Sequence, residues 1–307
     1  MTMRMRSILL TTFATLAVTA SAQSGVEYGK QCASLIAEVE EFDCRKGTAV
    51  PITVDGKTPA KYTPNMTCDR PAMAADNPFP CAPYSRVQLL RDDTVQASAY
   101  CRQKSLRSSK SPYYDEIDVI AHSRVNGATC WFSATAKTKK GIDGSHVPSP
   151  TKPPAKRFWD PPTQTVKGNC VSCHDSDPWM YSPFIGQTNQ YPADPFGYYT
   201  NAIGPFKAWR QPKSITFRGN NCTSCHRIGN METCKTTMLQ ATGRAPIKGA
   251  DKWAKTYPHS HWMPVGNALT LRQWNVTYDD AMRELGNCCA HPEGPGCEVK
   301  TIQGKKK

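Results

Sequence analysis

Two pentapeptides of the form Cys-x-x-Cys-His contain the residues best suited to chemistry. They are Cys170-Val171-Ser172-Cys173-His174 and Cys222-Thr223-Ser224-Cys225-His226, and they begin 52 residues apart. This spacing is the attachment signature of c-type haem: the cysteines bond to the haem vinyl groups, and the histidine binds the iron. Such residues also bind zinc, but two complete copies of the motif favour haem. The sequence therefore predicts two covalently bound haem c groups, with His174 and His226 as proximal ligands.

The N-terminus has the pattern of a secretory signal peptide. Arg4 and Arg6 precede an apolar run over residues 8–20, and Ala20-Ser21-Ala22 is a typical cleavage site. The run is too short to span a bilayer, so we predict removal of residues 1–22 and no transmembrane anchor after cleavage. An uncleaved N-terminal anchor is the alternative. Because haem is attached outside the inner membrane in bacteria, we predict a periplasmic or secreted protein.

The ten cysteines outside the two motifs are even in number, as expected for an exported protein with disulfides. Six precede residue 131 and four follow residue 233, so each group is able to pair within itself. We expect local bridges Cys68–Cys81 and Cys101–Cys130, although spacing alone does not fix connectivity. Cys288 and Cys289 are expected to reach two different partners, with Cys234 and Cys297 as the nearby candidates.

Composition and charge narrow the class of protein and the kind of partner. The chain has 307 residues, 25 prolines and 39% hydrophobic residues, which argues against long helical bundles and favours a loop-rich α+β protein. The formal net charge is +13, or about +11 without the signal peptide. This balance favours acidic partners. No nucleic-acid-binding motif is present, so redox proteins are the expected partners, and the oligomeric state is left open.

Composition along the chain predicts two domains and a linker after the signal peptide. Residues 23–143 are expected to form a Cys-rich N-terminal domain without haem, mostly β or α+β and held by disulfides. Residues 144–157 are rich in proline and predict an extended spacer. Residues 158–307 contain both Cys-x-x-Cys-His motifs and are expected to form a loop-rich, mainly α domain.

Several secondary structure elements follow from local patterns. Residues 32–39 favour a short helix, and residues 50–54 favour a strand that ends at Asp55-Gly56. The strongest hairpin signal is Asn126-Gly127, flanked by apolar segments over 117–122 and 128–132. A helix is predicted from Thr277, as its N-cap, to Gly286. On that helix Tyr278, Met282 and Leu285 share one face, which is available to pack on a haem edge or on the core.

The segment before this helix resembles class I cytochrome c, in which a Met-Pro loop supplies the sixth iron ligand ahead of a C-terminal helix. Met263-Pro264 follows His226 by 37 residues, within a resemblance that covers about residues 215–290. It implies that Met263 is the distal ligand of the second haem. Met263 as ordinary core beside Trp262, and His261 or His259 as the ligand, are the alternatives. The chain departs from the class I pattern before Cys222, where only a weak helical pattern is present.

The distal ligand of the first haem is less evident. Met180 follows His174 by only six residues, which makes the opposite face of the haem hard to reach. Trp179 or Tyr181 is therefore expected to pack on the haem edge, and His259 or His261 to cross over to this iron. The other histidines, expected to be surface or structural residues, are His122, His146 and His291.

The whole layout resembles a group of uncharacterised secreted bacterial cytochrome c-like proteins. The resemblance rests on Phe42-Asp43-Cys44, on Asp118-Val119-Ile120-Ala121 with Gly127-Ala128-Thr129-Cys130, and on Gly168-Asn169 before the first motif. It implies architecture rather than activity. The expected function is electron transfer by an exported di-haem c-type cytochrome. A di-haem oxidoreductase, peroxidase-like or sulfur-oxidising, and a surface-binding module with haem cargo are the alternatives. No further catalytic motif is present, so enzymatic activity is left open.

Overall fold

The computed structural model describes residues 23–52, 54, 57–64, 66, 82–181, 188–190, 192–234, 238, 263–264, 267 and 269–305. The predicted signal peptide, the Cys68–Cys81 pair, His259 and His261 lie outside these residues. Helices, strands and many loop residues alternate along the described chain, and four disulfides join them. The prediction of an α+β protein with disulfides is therefore confirmed.

A five-stranded antiparallel sheet dominates the first half of the chain. Its strands are β1 (Thr48–Ala49), β2 (Arg86–Asp92), β3 (Val95–Arg102), β5 (Glu116–Ser123) and β6 (Thr129–Thr135), in the order β1-β2-β3-β5-β6. Two short strands, β4 (Tyr113–Tyr114) and β7 (Ile142–Asp143), pair separately. The strand predicted over residues 50–54 is wrong at the described residues 50–52, because β1 ends at Ala49, and only an isolated bridge between Val54 and Lys57 follows.

The predicted hairpin at Asn126-Gly127 is confirmed as β5–β6. Gly127 has φ +78°, a backbone conformation that glycine adopts without a steric penalty. A Cβ at this position would lie 2.6 Å from the backbone of Tyr198 and Tyr199. The turn therefore needs glycine for a second reason, because it docks against the segment that follows the first motif.

A helix covers one face of the sheet. α1 (Gly25–Leu35) begins with a capping box between Ser24 and Glu27 and starts earlier than the helix predicted over 32–39. Tyr28 is buried against the sheet, and its hydroxyl oxygen accepts the backbone N–H of Trp131 at 3.1 Å. The disulfide Cys32–Cys130 joins the same helix to β6.

The disulfide pattern confirms one prediction and corrects another. Cys288 and Cys289 do reach different partners, Cys297 and Cys234. The predicted Cys101–Cys130 bridge is wrong, because Cys101 pairs with Cys44 and Cys130 with Cys32. Cys101 lies on β3 and Cys130 on β6, with β5 between them. Two strand spacings amount to about 9–10 Å, which is more than the roughly 7 Å that a disulfide can span between Cα atoms.

Packing crosses the predicted domain boundary. Val147 is fully buried and its backbone bonds reciprocally with that of Phe42, and the indole N–H of Trp159 donates to the Pro148 carbonyl at 3.0 Å. Two short helices follow, α2 (Ala155–Phe158) and α3 (Pro162–Lys167). Residues 144–157 therefore pack on the sheet and do not form the extended spacer that proline content predicts. The boundaries at 143 and 158 stay a prediction.

The described C-terminal region is built around one long helix. α4 (Leu271–Ala290) confirms the helix predicted over 277–286 but begins earlier, because Thr270 and Gln273 form its capping box. Thr277 is therefore an interior residue rather than the N-cap. α4 packs on a two-stranded sheet of β8 (Lys213–Phe217) and β9 (Cys297–Thr301). A strand, β8, thus precedes Cys222, where class I cytochrome c has a helix.

Candidate functional site

The first motif is held in a tight turn between α3 and the loop that follows. Asn169 adopts a left-handed conformation with φ 52° and starts a short 3-10 turn over Cys170–Ser172. The backbone N–H of His174 then donates to the Cys170 carbonyl at 2.9 Å. This turn places both cysteines and the histidine of the motif close together. Burial raises the pKa of the Cys170 thiol to about 12.

Contacts with three residues hold His174 in place. Its Nδ1 lies 2.9 Å from the Pro178 carbonyl oxygen, so Nδ1 donates and Nε2 keeps its lone pair. Trp131 of β6 packs edge-on against the ring with centroids 5.0 Å apart, and the Tyr199 hydroxyl donates to the His174 carbonyl at 2.7 Å. Burial lowers the pKa of His174 to about 4. The imidazole is therefore neutral at physiological pH, as iron binding requires.

The first motif opens into a cavity of about 650 Å³ whose opposite wall is the five-stranded sheet. The strands β3, β5 and β6 line it with Tyr100, Arg102, Asp118, Ile120 and Trp131. These side chains share one face of the sheet, while their neighbours in sequence face the core. The N-terminal region therefore contributes a wall to this cavity, which the prediction of a haem-free domain did not include.

The second motif is anchored to α4. Asn220 accepts the backbone N–H of Cys222 at 2.9 Å and donates from its amide to the Ala281 carbonyl at 2.7 Å. The Nδ1 atom of His226 lies 2.8 Å from the Arg227 carbonyl oxygen, which again leaves Nε2 for a metal. Tyr181 stacks on the His226 ring with centroids 4.9 Å apart. Burial lowers the pKa of His226.

A second cavity, of about 350 Å³, contains the residues that the sequence associates with the second haem. His226 and Met263 both line it, and the Trp274 indole N–H donates to the Met263 carbonyl at 2.6 Å. The remaining wall is mostly apolar, and its residues from α4 are Trp274, Tyr278, Met282 and Leu285. The structure thus brings Met263 and His226 to one cavity. The role of Met263 as the distal ligand stays a prediction, and the alternatives His259 and His261 lie outside the described residues.

The two cavities share part of their walls. Cys173, Trp179 and Met180 line both, so the segment after the first motif separates the two sites. Asp177 of this segment is 4% exposed. Its Oδ1 accepts the Trp179 N–H at 2.9 Å, whereas its Oδ2 has no hydrogen-bond partner among the described residues. Burial raises the pKa of Asp177 to about 8.

The other described histidines, His122, His146 and His291, line neither of the two cavities. His122 is buried and bonded through Nδ1 to the Thr129 hydroxyl at 2.9 Å, His146 is exposed near Glu41, and His291 follows the end of α4. The sequence missed Arg102, Asp118 and Trp131 as lining residues. Arg102 and Asp118 alternate with apolar residues along β3 and β5, and this was the available signal, because alternation marks a strand with two different faces.

The two sites could each hold a haem. The four motif cysteines form no disulfide, whereas the eight other described cysteines are paired. Each motif lies at the edge of a cavity whose volume falls within the roughly 300–1,000 Å³ that is typical of ligand sites. Each histidine keeps Nε2 available for iron. Free thiols and neutral imidazoles beside aromatic and aliphatic walls are the donors and surroundings that haem c needs.

Among the described residues, no helix has both the length and the apolar character needed to cross a bilayer. In comparisons with known proteins, the chain matches no protein-family model, no curated protein and no solved structure.

Proposed function

We propose that this chain is an exported di-haem c-type cytochrome that carries electrons between redox partners. The observation that supports it most directly is the pair of Cys-x-x-Cys-His motifs, each at the edge of its own cavity and separated by a shared wall. The four disulfides add support for export, because such bonds persist in oxidising compartments. The positive net charge of +13 favours acidic redox proteins as partners.

Residues of the chain would bind and shield each haem. Cys170 and Cys173 would hold the first through thioether bonds, and Cys222 and Cys225 the second. Bound haem supplies reversible one-electron redox chemistry at iron. His174 and His226 would bind the iron through Nε2, because Nδ1 of each donates to a carbonyl oxygen. At the second site Met263 would also hold the iron, and the apolar face of α4 would exclude water.

Cavity size favours a second candidate, a di-haem oxidoreductase of the peroxidase-like or sulfur-oxidising type. The first cavity, at about 650 Å³, is larger than the second, at about 350 Å³, and its sheet wall carries polar side chains. A larger polar cavity suits a small substrate beside the cofactor. The third alternative, a surface-binding module with haem cargo, is weakened because the N-terminal sheet lines the first cavity and therefore needs no separate binding role to account for it.

Haem content and electron paramagnetic resonance of the matured protein test the proposal. The pyridine haemochrome assay should give two haem c groups per chain, and one after Cys170→Ser with Cys173→Ser. The matched double variant Cys222→Ser with Cys225→Ser should also give one. Absence of haem from the matured protein would refute the proposal.

The ferric spectrum then separates carrier from enzyme. Two low-spin signals, with one changed by Met263→Ala, are expected for a carrier with Met263 as a distal ligand. Reduced protein should also pass electrons to a small redox acceptor within the mixing time. A dominant high-spin signal, with turnover of peroxide or a sulfur compound, would instead place the oxidoreductase first.

A further inference from the structure

Arg102 presents unused hydrogen-bond donors to the first cavity. The residue lies at the end of β3, lines the cavity and is 18% exposed in its side chain. Its Nε donates to Asp118 at 2.7 Å and lies 3.7 Å from Glu116. Its two terminal nitrogens have no hydrogen-bond partner among the described residues, although the guanidinium lies over the Tyr100 ring at 4.3 Å. The four N–H groups on these two nitrogens are therefore not engaged by any described residue.

The neighbouring Arg107 shows what a structural arginine does in this fold. Both of its terminal nitrogens bond to Asp115, at 2.6 and 2.7 Å, and one also bonds to Gln103. Both terminal nitrogens of the Arg107 guanidinium therefore have partners within the protein. The terminal nitrogens of Arg102 are not among the buried side-chain atoms that lack a partner, so they remain accessible from the cavity that Arg102 lines. A ligand in this cavity could therefore accept hydrogen bonds from both nitrogens at once.

The chemistry of that ligand follows from the guanidinium and from its surroundings. A planar guanidinium matches the two oxygens of a carboxylate, in a bidentate pair that is stronger than a neutral hydrogen bond. Other charged groups on this wall are already engaged, since Lys104 pairs with Glu116. Haem carries two propionate carboxylates. Resting on the proposed function, we propose that Arg102 binds a propionate of the haem attached at Cys170 and Cys173.

This assignment makes the N-terminal sheet part of a haem site rather than a separate domain beside it. It also gives Arg102 an electrostatic effect on the first haem. A positive charge near the iron stabilises the reduced state, which carries one positive charge fewer than the oxidised state. Loss of that charge should therefore lower the midpoint potential of the first haem and leave the second, held against α4, nearly unchanged.

The test compares Arg102→Gln and Arg102→Lys with the control Arg91→Gln in the haem-matured protein. Arg91 lies on β2, is 44% exposed and pairs with Asp93. The resonance Raman band of propionate bending reports hydrogen bonds to these carboxylates. We expect this band to shift in both Arg102 variants and to stay unchanged in the control. The lysine variant keeps the charge beside Asp118 and thereby guards against loss of the fold.

Redox titration supplies the second measurement. Arg102→Gln should change the electron equilibrium of one haem by about tenfold, which is about 59 mV for one electron, while Arg102→Lys should change it much less. If Arg102→Gln binds two haems and its propionate bands are unchanged, this inference is overturned and the proposed function stands. If the parent protein contains no haem after expression with a haem-attachment system, the proposed function itself is refuted. An equal shift in Arg91→Gln would also overturn the assignment, because the effect would then be nonspecific.

Discussion

Replacing Asp177 by asparagine should change how the stability of the protein depends on pH. Asp177 lines the second cavity, and burial raises its pKa to about 8. The nearest charges have opposing effects, because Arg227 lowers this pKa and Asp194 raises it. An aspartate in the unfolded chain titrates near 3.9. The folded protein therefore retains a proton that the unfolded chain releases between about pH 4 and pH 8.

The sign and size of the effect follow from linkage. Wherever the folded state binds more protons, the free energy of unfolding falls as pH rises. The slope is about 1.4 kcal/mol per pH unit, so a shift of roughly four units gives an upper limit of about 5 kcal/mol. Above pH 8 Asp177 is ionised in both the folded and the unfolded state, and the stabilisation that came from its proton is fully lost. Asparagine cannot ionise, so the variant should lack this loss.

Asparagine also brings a cost of its own. Its carbonyl can accept the Trp179 N–H as Oδ1 does now, but its amide would replace Oδ2, which has no partner among the described residues. A buried unsatisfied donor costs about 1–3 kcal/mol. The net expectation at pH 9 is therefore a variant more stable than the parent by about 2–4 kcal/mol. At pH 5 the parent should be equal or slightly more stable.

Urea unfolding of the haem-matured parent and variant, at each pH from 5 to 9, measures this difference. Asp118 and Asp175 also have raised pKa values, but they are common to both proteins and cancel in the comparison. The matched control is Asp93→Asn. The backbone N–H of Val95 lowers the pKa of Asp93, so this residue stays ionised over the whole range. A parent-to-variant difference that stays constant from pH 5 to pH 9 would refute the reasoning.

Three further substitutions test the packing around the two sites. Leu285→Ala should lower the free energy of unfolding by about 2–5 kcal/mol, because Leu285 is fully buried on α4; Val276→Ala, at an 84% exposed position of the same helix, should change it by less than about 0.5 kcal/mol. In urea unfolding, equal effects of the two would contradict the described face of α4. Removing the Cys44–Cys101 disulfide, which closes 57 residues, should cost about 4 kcal/mol by chain entropy, and a loss below about 1 kcal/mol would show that the bridge is not formed. Trp131→Phe should lower the free energy of unfolding by about 1–3 kcal/mol, because the buried side-chain oxygen Oδ1 of Asn201 would lose the indole N–H that donates to it at 2.8 Å. The same variant should perturb the absorption of the proposed first haem only.

Local sequence patterns predicted the secondary structure elements that depend on residues close together in the chain. Asn126-Gly127 identifies the β5–β6 hairpin because the turn itself requires glycine at positive φ. The amphipathic face of Tyr278, Met282 and Leu285 identifies α4. The start of α4 was harder to locate, since both Thr270 and Thr277 can cap a helix, and only Thr270 has a glutamine three residues later. The capping box, a pairwise pattern, was the available signal.

Features that depend on strand order could not be predicted in this way. The Cys101–Cys130 prediction assumed that cysteines near in sequence are near in space, but β5 lies between their strands. The spacer prediction for residues 144–157 followed proline content, yet Val147 is buried beside Phe42. The motif residues were found because Cys-x-x-Cys-His is a local signature. The opposite wall of the first cavity comes from strands far away in sequence. Alternation marks the two faces of these strands, but no local pattern shows that one face meets the motif.

The disulfides of the N-terminal region have a consequence for the first site through strand register. On β3, Cys101 faces the core, while its neighbours Tyr100 and Arg102 line the cavity. A slip of one residue would exchange these two sets, because side chains alternate between the faces of a strand. Cys44 holds Cys101, and Cys32 holds Cys130 on β6. These two bonds therefore fix which face of β3 and β6 meets the first motif, and with it the side chains that would surround the haem.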